Sequence, residues 1–329
     1  MNLVSIPPNV MLARLSRRIG WRIPTWVQGA GGNVSLKYEA NGRQHLLVKA
    51  SGVRLDQLTP LRGFAAVDTE LFRSKFDLAK EHLKTLGQKE AESKYARAIS
   101  ESQISYGENP TNDRPSMETG LHLAMPSPVV AHFHSLPAIL MAHHVETDQT
   151  LKPWLERQIG GKLSVLPALM PGRELSVEVF SHRDAKVLLL ANHGVILAIN
   201  DARDIALWEA VERRFLQNYR YTDLLSSWAG GHRANLNAET RNVPIPLRFY
   251  LPDTAVFANE IQRSLISKQI SGGEKCFVLN SERQDLIEIW SAQQMLYAAC
   301  PSLATLPDRV VDRIRGLPTE KYRLKKSAS

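Results

Sequence analysis

Apolar residues recur along the chain at two periods, and the switches between them outline the elements. Residues 9–20 carry Leu12, Leu15 and Ile19, with Met11 beside the same stripe, which predicts an amphipathic helix. Two strand-like runs follow, VSLKYEA and HLLVKA, around Asn41-Gly42, a dipeptide suited to a tight hairpin turn. The stretch 68–104 is polar and charged at helical period and predicts helix. YGENPTNDRP at 106–115 reads as loop, with Pro115 and Ser116 opening the next helix. PSPVVAHFHS at 126–135 reads as a buried strand, and KVLLLANHGVILAI at 186–199 as two apolar runs broken at Asn192-His193-Gly194. Asp201 is placed to cap a helix over 202–220.

A Pro-rich segment at 242–253 is the best candidate boundary. It divides the chain into a first unit, residues 1–245, and an α/β extension, residues 246–329, packed on it with an open role. In the extension we expect a helix near 254–268, a strand at 275–280 and helices near 284–300 and 307–315. Mixed strands and helices, with an early hairpin, argue against a purely parallel sheet. The predicted class is α/β, arranged as a three-layer sandwich.

Composition narrows the classes of function. With 329 residues, 43% of them hydrophobic and 22% charged, the chain can bury a core without staples. No run approaches the ~18 apolar residues of a membrane helix. Prolines interrupt the N-terminal segment where a secretion signal needs continuous apolar residues, so we read a soluble, cytoplasmic protein with no membrane role. The two cysteines, Cys276 and Cys300, suit a reducing compartment and read as small buried hydrophobes. The net charge is 41 − 33 = +8, but the basic residues are dispersed apart from the tail at 322–329. That pattern argues against a nucleic-acid partner, and a positive field can equally draw in a phosphorylated metabolite.

The chemistry gathers on histidines and turns. His132 and His134 lie two apart in a strand-like run, so both imidazoles can face one ion. Satisfied core histidines are the alternative, although two unpartnered buried imidazoles would be costly. His193, in a turn that can re-aim a side chain, would complete three protein ligands and an open position, the arrangement of catalytic zinc. Imidazole also suits other divalent metals. Glu118 in RPSMETGLH reads either as a carboxylate favoured at a helix start or as a general acid/base beside the metal. His122, one helical turn on, is a supporting or a packed residue, and His143 and His144 are surface or structural. GAGGNVS fails the GxGxxG pattern at Val34 and leads into a strand, which argues against a dinucleotide. Its glycines, the KASGV turn with Lys49 nearby, and Ser116 at a helix start could instead offer donors to an anion.

Taken in order, GAGGNVS, KASG, RPSMET…LH, VVAHFHS and LLLANHGV resemble the class II aldolase/adducin family over about residues 9–225. The RPSMET form, LPDTAVF near 251 and TEKYR near 319 look most like its rhamnulose-1-phosphate aldolase branch, of the kind fused to a dehydrogenase. The resemblance implies an α/β/α sandwich around a largely antiparallel sheet, and a homotetramer with active sites near subunit contacts. It makes His132, His134 and His193 zinc (or other divalent metal) ligands and Glu118 the catalytic acid/base. It places Gly32, Asn33, Ser51, Gly52 and Ser116 around the phosphate of a sugar phosphate. The implied reaction cleaves a ketose 1-phosphate to dihydroxyacetone phosphate and an aldehyde through an enediolate. A sugar-phosphate epimerase, a dehydratase or a decarboxylase is the alternative on the same fold, and a metal-free adducin-like scaffold is another. Met117 stands where the family motif has a second serine, and the family's proton-donor tyrosine is left open among Tyr219, Tyr221, Tyr250, Tyr297 and Tyr322.

Overall fold

The alternating runs assemble into one eight-stranded sheet in the computed structural model, which describes residues 6–79, 88–107, 113–201, 203–230, 239–240, 249–269 and 275–317. In chain order, the first half holds α1 (Pro8–Gly20), β1 (Asn33–Ala40), β2 (Arg43–Lys49), β3 (Phe64–Asp68), α2 (Thr69–Lys75), α3 (Gln88–Glu101), β4 (Gln103–Ile104), α4 (Thr119–Ala124) and β5 (Val129–Phe133). Next come α5 (Leu136–Thr147), α6 (Leu151–Ile159), β6 (Leu163–Leu166), α7 (Arg173–Ser181), β7 (Val187–Leu190), β8 (Gly194–Ile199), α8 (Arg203–Asn218) and α9 (Thr222–Gly230). The remainder is β9 (Glu239–Thr240), α10 (Pro252–Val256), α11 (Ala258–Ser264), β10 (Leu265–Gln269), β11 (Lys275–Leu279), α12 (Gln284–Ala299) and α13 (Asp308–Gly316).

The large sheet runs β4-β3-β2-β1-β5-β8-β7-β6, antiparallel at every junction except β6 with β7. Helices cover both faces, so β5, β7 and β8 are buried along their whole length. Val129, Ala131 and Phe133 of β5 join α1, α5, α6 and α8 in one core. Val130, Leu188 and Ile196 join α2, α3, α4 and α7 in the other. The three-layer α/β/α architecture is therefore the one expected. Asn41 and Gly42 take positive φ angles of 52° and 69° and close the β1–β2 hairpin at Ala40 and Arg43. Among the described residues, no helix is long and apolar enough to cross a membrane. Cys300 is a free, buried thiol in the first core.

Several elements differ from the expected pattern. The 68–104 helix is two helices, α2 and α3, and α2 ends where Phe76 turns extended. The helix expected from Pro115 begins only at Thr119, because Pro115 pairs with Ala50 in an isolated bridge. The helix near 254–268 stops at Ser264 and gives way to β10, which pairs with β11. β3 was missed because a fully buried strand lacks the polar alternation that would announce it, and β6 because it has only four residues. Parts of other expectations lie outside the described residues: 80–87, 108–112, the Pro-rich 242–248, and everything beyond 317, including TEKYR and the basic tail.

Two buried carboxylates tie distant elements together. Glu212 of α8 accepts hydrogen bonds from the indole N–H groups of Trp26, Trp208 and Trp228 and from the Ser135 hydroxyl. Ser135 in turn caps α5, accepting the Ala138 N–H at 3.1 Å. Glu288 of α12 accepts the Gly29 N–H at 2.8 Å and both terminal nitrogens of Arg54, at 3.0 and 2.9 Å. This fork-on-fork pair joins the helical C-terminal part to the two turns that follow α1 and β2.

Burial pushes the Glu212 carboxyl up to about 7 from the ordinary 4.5, against the pull of its four donors. The folded chain then keeps a proton that the unfolded chain releases. The associated stability is complete below about pH 4.5 and is lost as pH rises through about 7. Thermal unfolding across that window should therefore fall more steeply in wild type than in Glu212→Gln, by an amount on the order of 3 kcal/mol. Parallel pH profiles for the two proteins would contradict this. Arg54→Leu should strand the Glu288 charge and cost about 3–5 kcal/mol, read as a lower denaturant midpoint. Adding Glu288→Leu should restore part of the loss, and an unshifted midpoint in the single variant would show the pair to be energetically idle.

Candidate metal centre

The strand register brings the histidines together. His132 lies on β5, paired with Asn33 of β1 on one side and Ile196 of β8 on the other. His134 follows the last residue of the strand, and the two ring centroids are 5.3 Å apart. His193 occupies the short turn between β7 and β8. Asn192 enters that turn at φ 59°, and the His193 N–H donates to the Leu190 carbonyl at 3.1 Å. Gly194 leaves it at φ 131°, and a Cβ there would stand 2.2 Å from the Phe133 oxygen. Only glycine lets the turn press against the end of β5. The His193 ring then lies 4.8 Å from that of His132 and 5.0 Å from that of His134.

All three side chains are buried, and one ligand nitrogen from each lies within 4.8 Å of the others. The far side of two rings is engaged. His132 Nδ1–H donates to the Val195 carbonyl at 3.0 Å, and His134 Nδ1–H to the Asp253 carboxylate at 2.6 Å. These partners assign the proton to Nδ1 and leave Nε2 as the ligating nitrogen. Burial pushes the His132 imidazole below its ordinary value, opposed by the nearby Glu118 charge. His132 Nε2 and Glu118 Oε1 are both buried without a hydrogen-bond partner among the described residues. Such orphaned atoms around an all-imidazole donor set fit a divalent transition metal.

Glu118 sits at the N-cap of α4. Its Oε1 lies 3.7 Å from His132 Nε2 and 3.6 Å from His193 Nε2. Its Oε2 accepts from Asn33 Nδ2 at 2.7 Å, and its N–H donates to Ser116 Oγ at 3.2 Å. Asn33, expected at a phosphate, turns its amide to the carboxylate and also lines the cavity described next. The isolated bridge of Ala50 with Pro115, and a hydrogen bond from Ser51 N–H to the Arg114 carbonyl, bring the KASG turn beside Ser116. Lys49 Nζ links the two glycine turns, donating to the carbonyls of Ala30 and Val53 at 3.0 and 2.8 Å.

A cavity joins these pieces. Gly32, Asn33, Ser51, Gly52, Ser116, Glu118, His134 and His193 all line it, while His132 is buried beside it. Met117 contributes a thioether to the wall in place of a hydroxyl. His122 packs on Ser35, its Nδ1 2.8 Å from the hydroxyl, and burial holds it well below its ordinary value. His144 belongs to an aromatic cluster with Phe215, Tyr219 and Tyr221. Of the tyrosines left open, Tyr219, Tyr221, Tyr250 and Tyr297 are absent from the cavity wall, and Tyr322 lies outside the described residues.

Sequence reasoning missed the contribution of the C-terminal part. Pro252, Val256 and Ile314 wall the cavity, Asp253 backs His134, and Asn192 donates to the Ala304 carbonyl at 2.6 Å. One signal was available. Asp253 and Glu288 are carboxylates inside apolar runs, LPDTAVF and LIEIW, and a carboxylate buried there needs a partner.

Comparison with known proteins agrees with this geometry. The sequence profile of the Class II Aldolase and Adducin N-terminal domain matches residues 11–215. The chain is 32% identical over 105 residues to a 3-oxo-tetronate 4-phosphate decarboxylase of Haemophilus influenzae, a match that covers 29% of this chain. It spans about half the length of that curated relative, 50%. The structure is similar to the N-terminal class II aldolase domain of a conserved Thermoplasma acidophilum protein, with TM-score 0.45, 22% identity, and 67% and 91% of the two chains covered. It is also similar to an L-fuculose 1-phosphate aldolase from Glaciozyma antarctica, with TM-score 0.39, 14% identity, and 90% and 94% covered. With the profile match taking in well over half of its residues, the chain belongs to the class II aldolase and adducin N-terminal domain family.

Proposed function

We propose that this protein is a divalent-metal-dependent lyase, with zinc the expected ion, that cleaves a ketose 1-phosphate to dihydroxyacetone phosphate and an aldehyde. The observation that carries the reading is the meeting of three buried imidazoles with the unpartnered Oε1 of Glu118 at one cavity. His132, His134 and His193 would hold the ion, with the opposite ring edges of His132 and His134 engaged by the Val195 carbonyl and the Asp253 carboxylate. A cation held there supplies Lewis-acid stabilisation of the negative charge that develops on the ketone oxygen as the C3–C4 bond breaks.

The chain's own residues do the rest. Asn33 fixes one carboxylate oxygen of Glu118 and leaves the other facing the histidines. Glu118 moves the proton at C3 of the phosphate-bearing fragment, and the hydroxyl proton lost at C4 balances it. Gly32, Ser51, Gly52 and Ser116 receive the phosphate, close to the charge of Lys49. Residues 1–245 form the catalytic unit, and 246–329 the extension that closes one wall. Cys300 as a free thiol supports a cytoplasmic location. The expected assembly is a homotetramer.

The similarity to a decarboxylase of an oxo-acid phosphate favours one second reading. Loss of carbon dioxide from a 3-oxo acid leaves the same kind of enolate charge beside the same ketone, so the site would serve either bond cleavage.

Purified protein should carry about one divalent ion per chain, and His134→Ala should lose it. Glu118→Gln should keep the ion but lower turnover by about 10²–10⁴-fold. A panel of ketose 1-phosphates and 3-oxo-tetronate 4-phosphates should release dihydroxyacetone phosphate with an aldehyde on the first reading, and dihydroxyacetone phosphate with carbon dioxide on the second. Wild-type turnover in Glu118→Gln would remove the acid/base assignment, and a metal-free wild type that takes up no zinc, cobalt or manganese would remove the lyase reading.

A further inference from the structure

The ligand set comes from the sheet, but one of its supports comes from far along the chain. Asp253 stands in the first turn of α10, fully buried, with Oδ2 2.6 Å from His134 Nδ1. The pair is sealed by the first glycine turn. A Cβ at Gly31 would lie 2.8 Å from the His134 ring and 3.0 Å from Asp253 Oδ2, so no larger residue fits over it. The helix that carries Asp253 is itself anchored. Thr254 Oγ1 and the Tyr250 N–H both donate to Gln293 Oε1 of α12, at 3.0 and 3.1 Å.

An ionised carboxylate only accepts hydrogen bonds. Facing Nδ1, it requires the proton on that nitrogen and leaves Nε2 bare toward His132 and His193. We propose that Asp253 is a positioning residue of the metal centre, holding His134 in the tautomer and orientation that ligate, so that the C-terminal segment is an integral part of the site. This rests on the metal reading given above. An asparagine at 253 could turn its NH₂ to Nδ1 as readily as its oxygen, which would move the ring proton to Nε2 and block ligation.

The test is a competition titration of zinc against a chromophoric chelator, with folding followed by thermal unfolding of the same samples. Asp253→Asn should bind zinc about 10–100-fold more weakly than wild type while remaining folded. Asp253→Glu, which keeps the carboxylate, should recover part of that loss, and Asp253→Ser replaces the asparagine variant if the latter does not fold. Thr254→Val loosens the same helix from Gln293 while keeping the Asp253 carboxylate, and should weaken zinc binding less than Asp253→Asn does. Cobalt-loaded protein gives a second readout, since displacement of one imidazole should alter the visible d–d bands in Asp253→Asn and not in Thr254→Val. Wild-type zinc affinity in Asp253→Asn overturns the inference and leaves the metal reading standing. An equal loss in Thr254→Val assigns the effect to packing and overturns it as well. A wild type that binds neither zinc nor cobalt overturns the metal reading and this inference with it.

Discussion

Three buried imidazoles turn toward one point at the end of the sheet. That convergence organises the site. Buried imidazole is tolerable only where each nitrogen has a defined partner. The Val195 carbonyl serves His132 and the Asp253 carboxylate serves His134, so the inward nitrogens face one another with Glu118 close by. The sheet register supplies the first coordinate, by placing Asn33, His132 and Ile196 abreast. The Asn192–Gly194 turn supplies the second, because its close approach to Phe133 carries His193 onto the same point.

The surrounding polar groups form a chain of dependence outward from that point. Asn33 holds Glu118, Lys49 ties the first glycine turn to the second, and the Arg54–Glu288 pair ties both to α12. On the opposite side, Ser135 follows His134 directly and hands its hydroxyl to Glu212, which three indoles also grip. These carboxylates are costly to bury, and each is matched by several donors rather than one. Their common effect is to hold the backbone on both sides of the histidines in one arrangement, which is what a preorganised charge-stabilising site requires.

On the proposed reading, such a site would stabilise developing negative charge next to a carbonyl and move one proton. Those capacities belong to carbon–carbon cleavage in general, whether the departing fragment is an aldehyde or carbon dioxide. Pro171, Pro252, Val256 and Ile314 add apolar side chains to the same cavity.

The sequence by itself determined the local pieces of this protein. The Asn41-Gly42 hairpin, the His132/His134 spacing, the Asn192-His193-Gly194 turn and the carboxylate at the start of α4 are short-range features, fixed by backbone sterics and the period of a strand or helix. The ordered set of motifs also conveyed the family and its layered fold. β3 escaped because burial on both faces erases the alternation that marks a strand, and β6 because it has only four residues. Tertiary structure alone decided which distant polar groups meet. Asp253 lies 119 residues from His134, and Glu288 lies 259 from Gly29. No local pattern encodes such a contact, because its partner is set by how whole layers pack. The sequence could show only that a carboxylate in an apolar run must find one.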